Sequence, residues 1–152
     1  MTWYTVLKVV HVLSVIVWIG AVTTVSGITS FLAGARDRVT LAAWLPYATR
    51  YGQRVAGPAS ILVLLSGIAM VIVGGIGFKA LWVSLGFAGI IVHIAFGATV
   101  LRVQGARFAA LLRAGGDDAA VVAAARRMVL GNAIYLLLMA SVVAVMVFKP
   151  TV

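Results

Sequence analysis

Four long uncharged runs organise this chain. Val9 to Ala35, Val55 to Phe78, Ala80 to Leu101 and Met128 to Phe148 contain no Asp, Glu, Lys or Arg. Each reaches the ~20 apolar residues that a helix needs to cross the core of a bilayer. None alternates apolar and polar residues as a membrane barrel strand does. The pattern predicts an all-α fold, a single-domain four-helix transmembrane bundle, with helices at about 3–34, 58–76, 80–114 and 117–149. Breaks fall between them. Pro58 suits a first helical turn, and Gly74-Gly75-Ile76-Gly77 reads as a short turn. Gly115-Gly116 interrupts the third helix, and Asp117 and Asp118 suit the start of the fourth. Residues Arg36 to Gly57 read as a connection, in which Trp44 and Pro46 suggest a broken interfacial helix. The small and hydroxyl residues from Thr23 to Ser30 favour close helix packing in lipid.

Composition agrees with an integral membrane protein. Hydrophobic residues make up 64% of the 152 and charged residues 10%, against roughly 25% charged in a soluble domain. The first run begins too near Met1, and is too long, for a cleaved signal peptide, and reads as a retained helix. There is no cysteine, so disulfides, thiolate metal sites, iron–sulfur clusters and covalent haem attachment are excluded.

The net charge of +9 does not imply nucleic acid, because no recognition motif accompanies it. All nine arginines are expected in two loops: Arg36, Arg38, Arg50 and Arg54 in the first, and Arg102, Arg107, Arg113, Arg126 and Arg127 in the third. With four spans these stretches share one side, and Lys8, Lys79 and Lys149 lie at the other. The positive-inside rule makes the arginine side cytoplasmic and places both termini outside, with helices 3 and 4 extended into the cytoplasm. The arginines are expected to meet anionic lipid headgroups.

The candidate chemistry is histidine. His11 and His93 are the two histidines of the chain, and both lie within spans. An ionisable group at membrane depth marks a functional site by default, and imidazole is a common ligand for metals and haem iron. His11 lies eight residues after Trp3 and His93 eleven after Trp82. At ~1.5 Å per residue their depths are about 12 and about 16 Å, matched to within a turn. Helices 1 and 3 of an up-down bundle stand diagonally opposite, so the two imidazoles are expected to face each other. Tyr4, Lys8, His11, Ser14, Val15 and Trp18 share one helical face, and Gly86, Gly89, Ile90, Phe96, Gly97 and Val100 share the face of His93. The glycines either allow helix packing or leave room for a flat ligand. Asn132 and Tyr135 share a face of helix 4, where a packing hydrogen bond is expected.

The run Lys8-x-x-His11 followed by Trp18-x-Gly20 resembles the opening helix of a group of small bacterial membrane proteins. The group includes the HemJ-type protoporphyrinogen oxidases, the membrane domain of CopD-type copper-resistance proteins, and an uncharacterised family of predicted integral membrane proteins related to both. Pro58 and Ser66-Gly67 are similar to that last family. The resemblance implies haem b, His11 as a ligand, and a redox role at the bacterial cytoplasmic membrane. This chain departs from HemJ in having no lysine within its third span, where Lys79 stands only at the edge. That departure weighs against protoporphyrinogen oxidation more than against haem binding.

The leading expectation is a haem-b protein that transfers electrons or oxidises a small substrate such as a porphyrinogen or quinol. His11 and His93 would ligate the metal, Lys8 would meet a propionate, and Trp18, Gly89, Phe96 and Gly97 would line the macrocycle. One alternative is copper handling of the CopD type, with His11, His93 and the thioethers of Met70, Met139 and Met146. Another is a structural or assembly subunit whose histidines only bridge helices. The expected partners are the lipid bilayer and a redox partner or quinone, with self-association left open.

Overall fold

In the computed structural model, which describes residues 2–150, four long helices account for almost the whole chain. They are α1 (Trp3–Gly34), α2 (Arg38–Val73), α3 (Leu81–Arg113) and α4 (Asp118–Phe148). Each is apolar and long enough to cross a membrane. At ~1.5 Å per residue, helices of 31 to 36 residues run well beyond the ~30 Å hydrocarbon core. Large apolar side chains stand outward on every helix, among them Ile16, Leu65, Ile91 and Leu137. In water such a surface would drive aggregation; in lipid it is the matched solvent.

α1 packs on α2 and α4, and α3 packs on α4. The α2–α3 interface is the sparsest of the four between neighbours. α1 and α3 therefore stand on one diagonal of the bundle and α2 and α4 on the other. The helix ends follow local chemistry. The Thr2 hydroxyl accepts from the Thr5 amide, Asp37 accepts from Thr40, and Asp117 accepts from Ala120. The α2–α3 turn uses Gly75 and Gly77 at φ +62° and +80°, a conformation open to glycine without steric cost.

Two apolar cores are stacked along the bundle. One is built on Trp18, Val22, Ala59, Val63, Ile90 and Met139. The other, at the arginine-bearing end, is built on Ala33, Leu41, Leu45, Phe108, Val121 and Met128. The second core corrects the sequence reading of residues 36–57. The chain there is helical from Arg38 onward and joins the span without a break. Pro46 sits inside that helix and removes one backbone hydrogen bond. Leu41, Leu45 and Ala48, on one face, are all buried, and their packing outweighs the lost bond. Apart from Arg36, the arginines lie on helices, not in loops. Helix 2 is extended at this end as fully as helices 3 and 4.

α2 and α3 each contain one π turn, at Gly52–Ala56 and Gly97–Leu101. Such turns insert an extra residue into a helix and re-aim the faces on either side. Polar groups tie the helices together between the two cores. Trp44 Nε1 donates to Thr29 Oγ1 at 2.9 Å, and Thr29 donates to the Val25 carbonyl. Asn132 donates to the Ser26 carbonyl and to Ser30 Oγ. The hydroxyl-rich half of α1 is thus a packing surface, and Asn132 makes the expected packing hydrogen bond.

Candidate functional site

His11 and His93 occupy two different environments. His11 is half-buried where three helices meet. Its Nδ1 lies 2.9 Å from Ser66 Oγ on α2. A Cβ on the neighbouring Gly67 would stand 3.5 Å from His11 Cε1 and 3.9 Å from the Phe87 ring of α3. Both are ordinary van der Waals distances, so residue 67 packs against the imidazole without glycine being required there.

The direction of the His11–Ser66 bond follows from the hydroxyl. Ser66 Oγ lies 2.5 Å from the Leu62 carbonyl and 3.2 Å from the Val63 carbonyl. A carbonyl only accepts, so the single hydroxyl proton is committed to the helix backbone. The serine oxygen must then accept from His11, which places the imidazole proton on Nδ1. Nε2 keeps its lone pair, makes no hydrogen bond, and is not among the fully buried nitrogens of the described residues. A ring nitrogen whose partner nitrogen is pinned by a hydrogen bond is the usual form of a metal-binding histidine.

His93 is fully buried, and neither ring nitrogen has a hydrogen-bond partner. Its ring stacks on Tyr135 of α4 with centroids 3.8 Å apart and planes 20° from parallel. The indole of Trp18 meets it edge-on at 4.7 Å. The Phe96 ring lies 6.2 Å from the Tyr135 centroid, with planes 19° apart. Trp18 follows His11 by seven residues, about 10 Å along α1. The two histidines are therefore at different levels, which corrects the matched depth read from the sequence. The helices do stand on one diagonal, but Trp18 is what faces His93 across it.

The glycines of α3 are filled by α4. A Cβ on Gly89 would stand 2.7 Å from Val142 Cγ2, and one on Gly97 would stand 2.8 Å from the Tyr135 hydroxyl. A Cβ on Gly86 would overlap the Met146 methyl. These positions serve helix packing and leave no slot for a macrocycle at His93. Lys8 is exposed one turn before His11 on the same face, and Ser14 and Trp18 of that face are buried. Among the described residues no three of His, Asp and Glu come together as a metal site.

A haem held between two imidazoles therefore does not fit this arrangement: the rings lie at separate levels and His93 is enclosed by aromatic side chains. A haem held by His11 alone fits the donor chemistry, through Nε2. Ser66 was legible only as part of the Ser66-Gly67 resemblance. The Tyr135 stack had one signal, the shared face with Asn132.

No curated protein matches the chain, and no solved structure does. The model of one family, described as predicted integral membrane protein (DUF2269), matches residues 5–150. The chain belongs to that family of predicted integral membrane proteins.

Proposed function

We propose that this protein binds haem b through His11 Nε2 and has a redox role in the membrane. The observation that carries the reading is the His11 Nδ1–Ser66 Oγ contact, with the Ser66 hydroxyl also set against the Leu62 carbonyl, an arrangement that favours the proton on Nδ1 and a lone pair on Nε2. The resemblance of Lys8-x-x-His11 to the HemJ and CopD group supports it. Gly67 lies beside the imidazole, and Lys8 stands one turn away on the same face to meet a propionate.

Haem supplies one-electron chemistry when bound. Held by His11 as its one protein ligand, haem would supply chemistry suited to oxidation of a small substrate such as a quinol or porphyrinogen better than to simple electron transfer. The sparse α2–α3 seam next to His11 suits an apolar substrate arriving from lipid. The arginine-rich end is assigned to the cytoplasm by the positive-inside rule, with both termini outside and the His11 half of the bundle toward the outer face. The resemblance to the HemJ and CopD group implies that the membrane is a bacterial cytoplasmic membrane.

The test is a visible spectrum of protein purified in mild detergent from haem-sufficient cells. A Soret band that His11→Ala abolishes supports the proposal. A featureless spectrum from folded protein overturns it.

A further inference from the structure

α2 and α3 touch less in the outer half of the bundle than at the arginine-bearing end. At the outer edge the turn at Gly74–Gly77 joins them. Further inward, Ala59 and Val63 of α2 and Ile90 of α3 share the Trp18 core and close the seam again. His11 lies between these two levels, opposite Ser66.

At this level Phe87 reaches across the seam. Its Cε1 lies 3.9 Å from where a Cβ on Gly67 would stand, and His11 Cε1 lies 3.5 Å from the same point. The two ring edges therefore converge on one spot of α2, where α2 offers no side chain of its own. Phe87 is braced from outside. Phe78, in the connection, packs on it with centroids 5.9 Å apart and planes 30° from parallel. The Phe78 carbonyl accepts from Ser84 Oγ, one turn before Phe87, at 2.9 Å. Neighbouring Gly86 and Gly89 face Met146 and Val142 of α4, away from the seam.

We propose that Phe87 is the gate of the His11 site, the side chain that admits or refuses an apolar molecule passing from lipid between α2 and α3. The ring hangs on two rotatable bonds, so it turns out of the seam while both helices stay in place. The turn above and the core below hold the helices together, which leaves this one side chain to set access. The gate extends the proposed function and rests on it for what arrives at His11.

The test uses the full chain, expressed without added haem precursor and reconstituted in nanodiscs. The probe is diethyl pyrocarbonate, which acylates an accessible imidazole nitrogen, and peptide mass spectrometry follows its addition to His11. The readout is the bare imidazole, so a protein that never binds haem answers equally well. Phe87→Ala should speed the modification severalfold. Gly67→Ala adds a methyl group at ordinary contact distance from both rings, so it fills the gap without displacing either and should slow the modification. Phe31→Ala, at an exposed phenylalanine of α1, should leave the rate unchanged, and the enclosed His93 should stay unmodified throughout. A parent-like rate in Phe87→Ala would overturn the gate, because His11 would then be reached another way. So would modification of His93 in Phe87→Ala, which would mean a loosened bundle. Where Phe87→Ala does not fold, an unaltered rate in Gly67→Ala overturns the gate by itself.

Discussion

His11 Nδ1 lies 2.9 Å from Ser66 Oγ, and the serine hydroxyl is itself turned onto the Leu62 carbonyl of its own helix. The helix backbone thereby dictates which imidazole nitrogen is protonated. Removing the serine oxygen frees the tautomer and leaves the ring without an anchor. Ser66→Ala should weaken haem retention by about 10- to 100-fold, the usual effect of losing a ligand's hydrogen-bond partner. Ser66→Thr, which keeps the hydroxyl, should retain most of it. Haem titration of the apoprotein, read at the Soret maximum, measures both. Unchanged affinity in Ser66→Ala would argue that another residue holds the iron.

His93 supplies a control with the opposite expectation. Its nitrogens are buried without partners, and an unpaired buried polar group is costly, at about 1–3 kcal/mol. His93→Phe keeps a flat ring between Trp18 and Tyr135 and removes the unpaired groups. The variant should be as stable as the parent or more so, and should keep the Soret band. Loss of the band in well-folded His93→Phe would make His93 a ligand and reopen the two-imidazole arrangement.

The glycines of α3 and α1 should respond differently to the same added methyl group. Gly89→Ala drives a Cβ into the stiff Val142 side chain, and overpacking of this kind costs about 1–3 kcal/mol. Gly20 has nothing within 4 Å of its would-be Cβ. Gly20→Ala should be neutral or gain up to about 1 kcal/mol from helix propensity. Thermal denaturation in one detergent compares the two directly.

Asn132 links α4 to α1 through Ser26 and Ser30. Asn132→Leu keeps the volume and removes the donor. Interhelical hydrogen bonds in membrane bundles average about 0.6 kcal/mol, so a small but measurable loss of stability is expected. No change in unfolding in mixed micelles would show that the bond contributes nothing to helix association.

Acid should loosen the start of α2. The Thr40 hydroxyl and then the Thr40 amide hold the exposed Asp37 carboxyl below the usual aspartate range. A depressed carboxylate contributes stability that is complete above its unfolded value, near 3.8. That contribution is lost as pH falls through the folded value. The effect therefore lies below about pH 4 and is absent at neutral pH. Asp37→Asn keeps a capping oxygen without the charge, so comparing its thermal stability with the parent's as pH falls isolates this loss.

The hydrophobic runs made the four helices legible, because a span in lipid needs length and apolarity more than any particular residue. Legibility failed where packing overrides local signals. Pro46 and the arginines of residues 36–57 look like a loop, yet Leu41, Leu45 and Phe108 form a buried core that keeps the segment helical. Depth counted from Trp3 and Trp82 placed the histidines together. It carried no information on how far α1 and α3 are offset along their axes, which Trp18 against His93 reveals. The glycines beside His93 were ambiguous in sequence, since what fills them comes from α4, dozens of residues away. Ser66 was visible as a letter, but its role depends on a proton whose direction only the paired carbonyl fixes.

The thin seam between α2 and α3 also sets how the molecule meets its surroundings. Whatever reaches His11 that way is supplied by partition into hydrocarbon, so its effective concentration is fixed by the lipid phase and not by bulk water. Under the proposed function, detergent tails are expected to compete for the same route. A micelle is then a competitor as well as a solvent, and activity measured in nanodiscs should exceed that in micelles at the same total substrate.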